Sequence, residues 1–129
     1  MDNLLVIWRE RAEQERDKIL DHVQWCKAHE IVDILDDVII WHNTSDAEAL
    51  DWLYVSYKRA NEEAARCKHL LITMNKELID YGQQQQYYEK QLTRYEQKKQ
   101  DWFTIMQHFY NVTPERWGKV YEWRKGNTN

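Results

Sequence analysis

Between Leu50 and Tyr81 the apolar residues keep one rhythm. Leu50, Leu53, Tyr57, Ala60, Ala64, Cys67, Leu71, Met74, Leu78 and Tyr81 alternate by threes and fours without a fault. This 3.5-residue period belongs to a helix packed along another helix, and it leaves no room for a strand. A helix over 46–81 is predicted, about 54 Å long at 1.5 Å per residue. Ala60, Ala64 and Cys67 keep the middle of the seam slim, so a neighbouring helix can approach closely there.

The rest of the chain follows suit. Three Gly and one Pro in 129 residues supply too few breakers for the turns of an all-β or α/β fold. Leu5, Trp8, Ala12, Ile19, Val23 and Cys26, then Ile31, Leu35, Val38 and His42, predict a helical region over 4–42, with a bend near Lys27–Glu30. Ser45 and Glu48 have capping-box spacing before the next helix. Gly82 is the expected hairpin, followed by a helix over 83–111. Thr113 as N-cap, Pro114 at the first position and Glu115 in the first turn mark a last helix over 114–125. The predicted fold is all-α, a single domain at 1–129. Its expected form is an elongated antiparallel three-helix bundle with coiled-coil-like heptad packing, closed by a short C-terminal helix.

The formal charge of −4 argues against generic nucleic-acid binding, but the charge is uneven. Residues 1–87 carry 10 basic and 17 acidic side chains, whereas 88–129 carry 8 and 5, which favours an acidic surface meeting a basic one, within the fold or between copies, as much as a nucleic-acid site. Cys26 and Cys67 both fall near apolar helical positions and are expected to be reduced core thiols. No basic leader precedes an apolar run and no stretch is long enough to span a membrane. A cytoplasmic location is therefore expected, the cytoplasm of a host cell included.

Four carboxylates form the only constellation with enzymatic spacing. Glu10 and Glu13 make an E-x-x-E pair, and Glu30 and Asp33 an E-x-x-D pair after sixteen intervening residues. In outline this resembles the metal-binding signature of the all-α nucleotide pyrophosphohydrolases, and the segment around His29 to Leu35 is similar to that family's second acidic helix. The resemblance implies Mg²⁺ held on a nucleoside triphosphate by helix-borne carboxylates. One helix over 4–28 would instead hold Glu13 and Glu30 about 25 Å apart, and 14–29 contains no Gly, Pro or Asn to turn the chain. A solvated acidic face is the preferred reading, with no catalytic residue, cofactor or metal assigned. His22, Cys26 and His29 line one side of a helix as a three-ligand comb, but no CxxC or HExxH completes a zinc set.

Seven Trp and eight Tyr are more than a small domain hides completely. The expected function is that of a small protein-binding regulatory or adaptor protein acting through an aromatic-rich surface, a class that phages and plasmids also encode. Trp41, Trp52, Trp117, Tyr121 and Trp123 are the candidate anchors. The expected partners are another protein and a second copy of the chain, through seams that one chain leaves uncovered. Two alternatives stand beside this reading: the pyrophosphohydrolase, and a nucleic-acid accessory protein. The latter would use the basic, aromatic C-terminal region, where Arg94, Lys98, Lys99, Arg116, Lys119, Arg124 and Lys125 mingle with Tyr95, Trp102, Trp117, Tyr121 and Trp123.

Overall fold

The computed structural model describes residues 4–42 and 47–126, with side chains at 4–39 and 47–126. It is all-helical, without a strand among the described residues, and runs α1 (Leu4–Asp17), α2 (His22–His42), α3 (Ala47–Thr73), α4 (Tyr81–Tyr110) and α5 (Pro114–Gly126). The Ser45 cap lies outside the described residues.

The first helical region is two helices, and the break falls at 18–21 rather than at Lys27–Glu30. Lys18 N donates to Glu15 O at 3.3 Å and Ile19 N to Arg16 O at 3.0 Å, tightening the end of α1 into a turn. Asp21 then caps α2, its Oδ2 accepting from Gln24 N at 2.9 Å. A capping aspartate thus replaces the missing Gly or Pro.

The next turn also moves. α3 stops at Thr73, so the seam residues Met74 and Leu78 lie in the connection and Tyr81 opens α4. Asn75 Oδ1 accepts from Glu77 N at 3.0 Å, and Tyr81 N donates to Leu78 O at 3.1 Å. Asp80 occupies the cap position of α4, its Oδ2 accepting from Gln84 Nε2 at 2.7 Å. Gly82 sits in the first turn of α4 without a positive φ, so it ends nothing.

The α4–α5 joint follows expectation. Asn111 takes the left-handed conformation at φ 54° while its N donates to Gln107 O at 3.1 Å, the 5→1 bond of a left-handed cap, and Val112 N reaches back to Met106 O at 3.4 Å. Thr113 Oγ1 accepts from Arg116 N at 3.3 Å, and Pro114 opens α5.

Backbone contacts divide the chain into two compact units, Met1–Tyr54 with Ile105–Asn129, and Val55–Thr104. In the first unit α1 packs on α2 and α2 on α5. Its core holds Leu5, Ala12, Val32, Ile34, Leu35, Val38, Leu50, Met106, Val112, Trp117 and Val120, and removing such apolar side chains from water is the main force that holds a unit of this kind together. The second unit is a helical hairpin. Lys68 Nζ meets Glu96 Oε1 at 3.1 Å and Lys99 Nζ donates to Asn61 Oδ1 at 3.1 Å, so position rises along α3 as it falls along α4. Only Ala60, Ala64 and Cys67 are buried in this unit, consecutive members of the slim seam. Cys26, by contrast, is exposed, as are Val23 and Leu20. The apolar stripe assigned to the first helix therefore does not continue through the turn.

Candidate functional site

Trp117 organises the first unit. Its ring is fully buried, and its indole Nε1 donates to Asp51 Oδ1 at 2.9 Å. A buried indole N–H needs such an acceptor, and a carboxylate is a strong one. Asp51 also receives Arg124 Nη2. The Arg124 guanidinium lies 3.8 Å from the centroid of Trp8, whose ring is tilted 46° against Trp117 at 6.4 Å. Cation–π contact of this kind stabilises a charge that has left water. It does so here beside Arg124 Nε, a buried N–H without an acceptor among the described residues.

Two further contacts fix α5 in place. Tyr121 meets Tyr54 at 5.1 Å, and Tyr54 also lies against Gly118, where a Cβ would stand 2.8 Å from Tyr54 Cε1. Trp123 Nε1 donates to Glu15 Oε2 at 2.8 Å, with the Arg11 guanidinium 5.5 Å from its ring. Three of the candidate anchors are accordingly used inside the fold. Trp117 is no surface residue, Trp123 is half-buried against α1, and Tyr121 is half-buried between Tyr54 and Lys125. The Trp41 side chain lies outside the described residues. Trp52 keeps 60% of its surface in water, although Leu50 and Leu53 on either side of it are buried.

The basic end of the sequence is answered by acids. Arg116 Nη1 meets Asp37 Oδ2 at 3.0 Å, Lys119 Nζ meets Glu30 Oε1 at 2.6 Å, and Arg124 meets Asp51. Part of the charge asymmetry read from the sequence is thus an internal pairing of α5 with α2 and α3. Lys125 lies 4.8 Å from the centroid of Tyr121. On the other unit, Lys68 and Lys99 both flank Glu96, and the Lys68 ammonium at 3.1 Å is the main influence holding its carboxyl below the usual carboxylate range.

The four candidate metal ligands occupy an antiparallel helical pair, since α1 folds back on α2 through the 18–21 turn. The expected separation along one rod is therefore wrong. The carboxylates nevertheless have other partners. Glu13 pairs with Arg9 and with Arg16, Glu30 with Lys119, and Asp33 with His29 at 3.4 Å, while Glu10 is exposed. Arg9 also donates to Asp36 Oδ1 at 2.8 Å, and that bond raises its already high pKa. A guanidinium therefore stands between carboxylates on the two helices. Among the described residues, no three His, Cys, Asp or Glu side chains come together as a metal would require.

The His–Cys comb is split as well. Cys26 Sγ is 3.7 Å from His22 Nε2, whereas His29 stacks on Trp25 at 4.8 Å and takes a hydrogen bond on Nδ1 from Arg16 Nη1 at 2.8 Å. Arginine only donates, so Nδ1 accepts and the ring proton sits on Nε2, towards Asp33.

In the hairpin unit α3 and α4 border a recess of about 220 Å³. Its lining includes buried Ala60 and exposed Arg59 on α3, and Tyr95, Trp102 and exposed Lys98 on α4. The sequence had grouped Tyr95, Lys98 and Trp102 with the residues of α5; the fold puts them in a different unit. No protein-family model, no curated protein and no solved structure matches the chain.

Proposed function

We propose that this chain is a small protein-binding regulatory or adaptor protein, and that Trp52 anchors its contact with another protein. One observation carries the reading. Of the candidate anchors whose side chains are described, Trp52 is exposed, at 60%, whereas Trp117 is buried and Tyr121 and Trp123 are half-buried. Tryptophan dominates binding hot spots because its large, rigid ring is desolvated on contact at little cost in side-chain entropy. Leu50 and Leu53 fix the α3 backbone beneath it, so the indole is presented from a rigid helix rather than from a loop.

The finer architecture belongs to the same proposal: an elongated antiparallel bundle with heptad packing, supported by burial of Ala60, Ala64 and Cys67 in sequence along the seam. So does a cytoplasmic site of action; no described helix is long and apolar enough to cross a membrane. The Mg²⁺-dependent alternative draws support from the antiparallel α1–α2 pair. It requires Glu13, Glu30 and Asp33 to leave Arg9, Arg16, Lys119 and His29, which the present pairing opposes.

The test replaces Trp52 with a photo-crosslinking phenylalanine derivative in cells of the source organism, with exposed Lys27 as a control position. A discrete protein adduct at position 52 and none at 27 is the expected result. Absence of any adduct at 52, with the helical spectrum of the variant intact, overturns the assignment.

A further inference from the structure

The hairpin unit is poorly provided with a core. Its buried side chains are two alanines and a cysteine, and its larger apolar residues, Leu70, Leu71, Tyr88 and Leu92 among them, are half-buried at best. Two helices alone rarely bury enough to be stable, and a third or fourth helix ordinarily completes the bundle. The recess beside Ala60 is the natural seat. Ser56 to Glu63 on α3 and Tyr95 to Trp102 on α4 each cover two helical turns, about 10.5 Å.

Charge narrows the choice of occupant. Arg59 has no hydrogen bond or ion pair among the described residues, and Lys98 meets only the Tyr95 ring at 5.7 Å. Glu63, the one acid at the recess, is held by Arg66 at 2.8 Å. The recess therefore combines two aromatic rings with an exposed cation on each of its two helices. Across the hairpin unit nine basic side chains face seven acidic ones, and across the other unit nine face fifteen. The chain thus carries both halves of a complementary pair.

The acidic half has a helix of matching form. Along α1, Leu4 is 39% and Ile7 42% exposed. Glu10 follows one turn later, exposed and without an ion-pair partner among the described residues. Aliphatic residues at i and i+3 followed by a carboxylate at i+6 cover about 9 Å, which fits within the two helical turns of the recess lining. We propose that the recess formed by Arg59, Ala60, Tyr95, Lys98 and Trp102 receives α1 of a second copy of this chain, Leu4 and Ile7 entering against the aromatic rings and Glu10 meeting the two cations. Exchanged twice, the contact closes a two-fold dimer. A single-stranded nucleic acid fits less well, since its backbone needs a track of cations and the recess supplies only two. This inference rests on reading the chain as a protein-binding module and names one partner for it.

Sedimentation equilibrium from low to high micromolar concentration tests it on the full chain. The wild type should dimerise, and raising salt should weaken the dimer. Ile7→Asp and Lys98→Glu should each weaken it roughly tenfold or more, with unchanged helical circular dichroism. Glu10→Lys, tested alone, should also weaken it, and combining it with Lys98→Glu should recover at least part of the loss. Rescue by reversing both charges is an outcome that a merely structural role for either residue would not give. A wild type that stays monomeric overturns the proposal. So does a dimer indifferent to both single variants, or a Lys98 variant whose only defect is loss of binding to a single-stranded oligonucleotide. The Trp52 crosslinking reads a different residue on a different partner, so either reading can fail alone.

Discussion

Trp117 and Asp51, 66 residues apart in sequence, meet through a 2.9 Å hydrogen bond that joins α5 to α3 inside the first unit. The same carboxylate holds Arg124, and Arg124 lies on Trp8 of α1. One acid therefore gathers three helices. Removing it leaves an indole N–H and a largely buried guanidinium without their acceptor.

Asp51→Ala is accordingly expected to destabilise the fold by about 2–3 kcal/mol, the penalty for stranding buried donors. Urea denaturation followed by tryptophan fluorescence measures it. A loss within about 0.5 kcal/mol, the range of ordinary surface substitutions, would show that water replaces the carboxylate without cost.

The glycines separate two physical roles. A methyl group at Gly118 would overlap Tyr54 Cε1 at 2.8 Å, so Gly118→Ala should cost about 1–3 kcal/mol through overpacking. Gly82 is helical and has open space around its Cβ position, so Gly82→Ala should stabilise by about 0.4–1 kcal/mol, chiefly by restricting the unfolded chain. Opposite shifts in melting temperature are expected, and equal signs would contradict the packing at Gly118.

These two residues also show what could be read from sequence. The start of α5 was legible because Thr113 and Pro114 each favour a helix N-terminus by their own local chemistry, whereas the left-handed Asn111 that closes α4 was not singled out. The turn at 18–21 was not, because Ile19 and Leu20 look like helix formers and the deciding bond is made by Asp21, one acid among many. Gly82 misled in the other direction. Glycine permits a break without requiring one, whereas Asn75 and Asp80 supply the bonds that make it. Ala60, Ala64 and Cys67 of the expected seam are buried, whereas the seam overran the helix at Met74. As for the site, aromatic abundance was visible, but which rings stay in water depends on partners such as Asp51 and Glu15, to which no local spacing points.

The hairpin unit should respond to acid through Glu96. Its folded pKa is depressed, first by the Lys68 ammonium, so its contribution is present above the ordinary carboxylate pKa and is lost as pH falls through the lower folded value. Glu96→Gln should therefore lower the melting temperature slightly at neutral pH, the pair being partly solvated and worth at most about 1 kcal/mol. The two proteins should converge below the ordinary carboxylate range. A gap that persists or widens in acid would contradict the sign.

The carboxylates of α1 and α2 invite a metal titration. Because Arg9 already neutralises Glu13 and Asp36, Mg²⁺ or Mn²⁺ should give no melting shift beyond that of a matched increase in ionic strength. Removing the cation in Arg9→Met should lower stability and leave the carboxylates repelling one another. A specific metal-induced rise in the unaltered chain, with pyrophosphate released from a nucleoside triphosphate, would revive the enzymatic alternative.

The most direct measurement of the protein-binding account is calorimetric titration of the protein crosslinked at position 52, comparing the unaltered chain with Trp52→Ala. A desolvated anchor of this kind is worth about 2 kcal/mol or more, so affinity should fall roughly 30-fold. Thermal unfolding should be unchanged, because the ring is largely in water before binding. Equal affinity of the two chains for that partner would contradict the account.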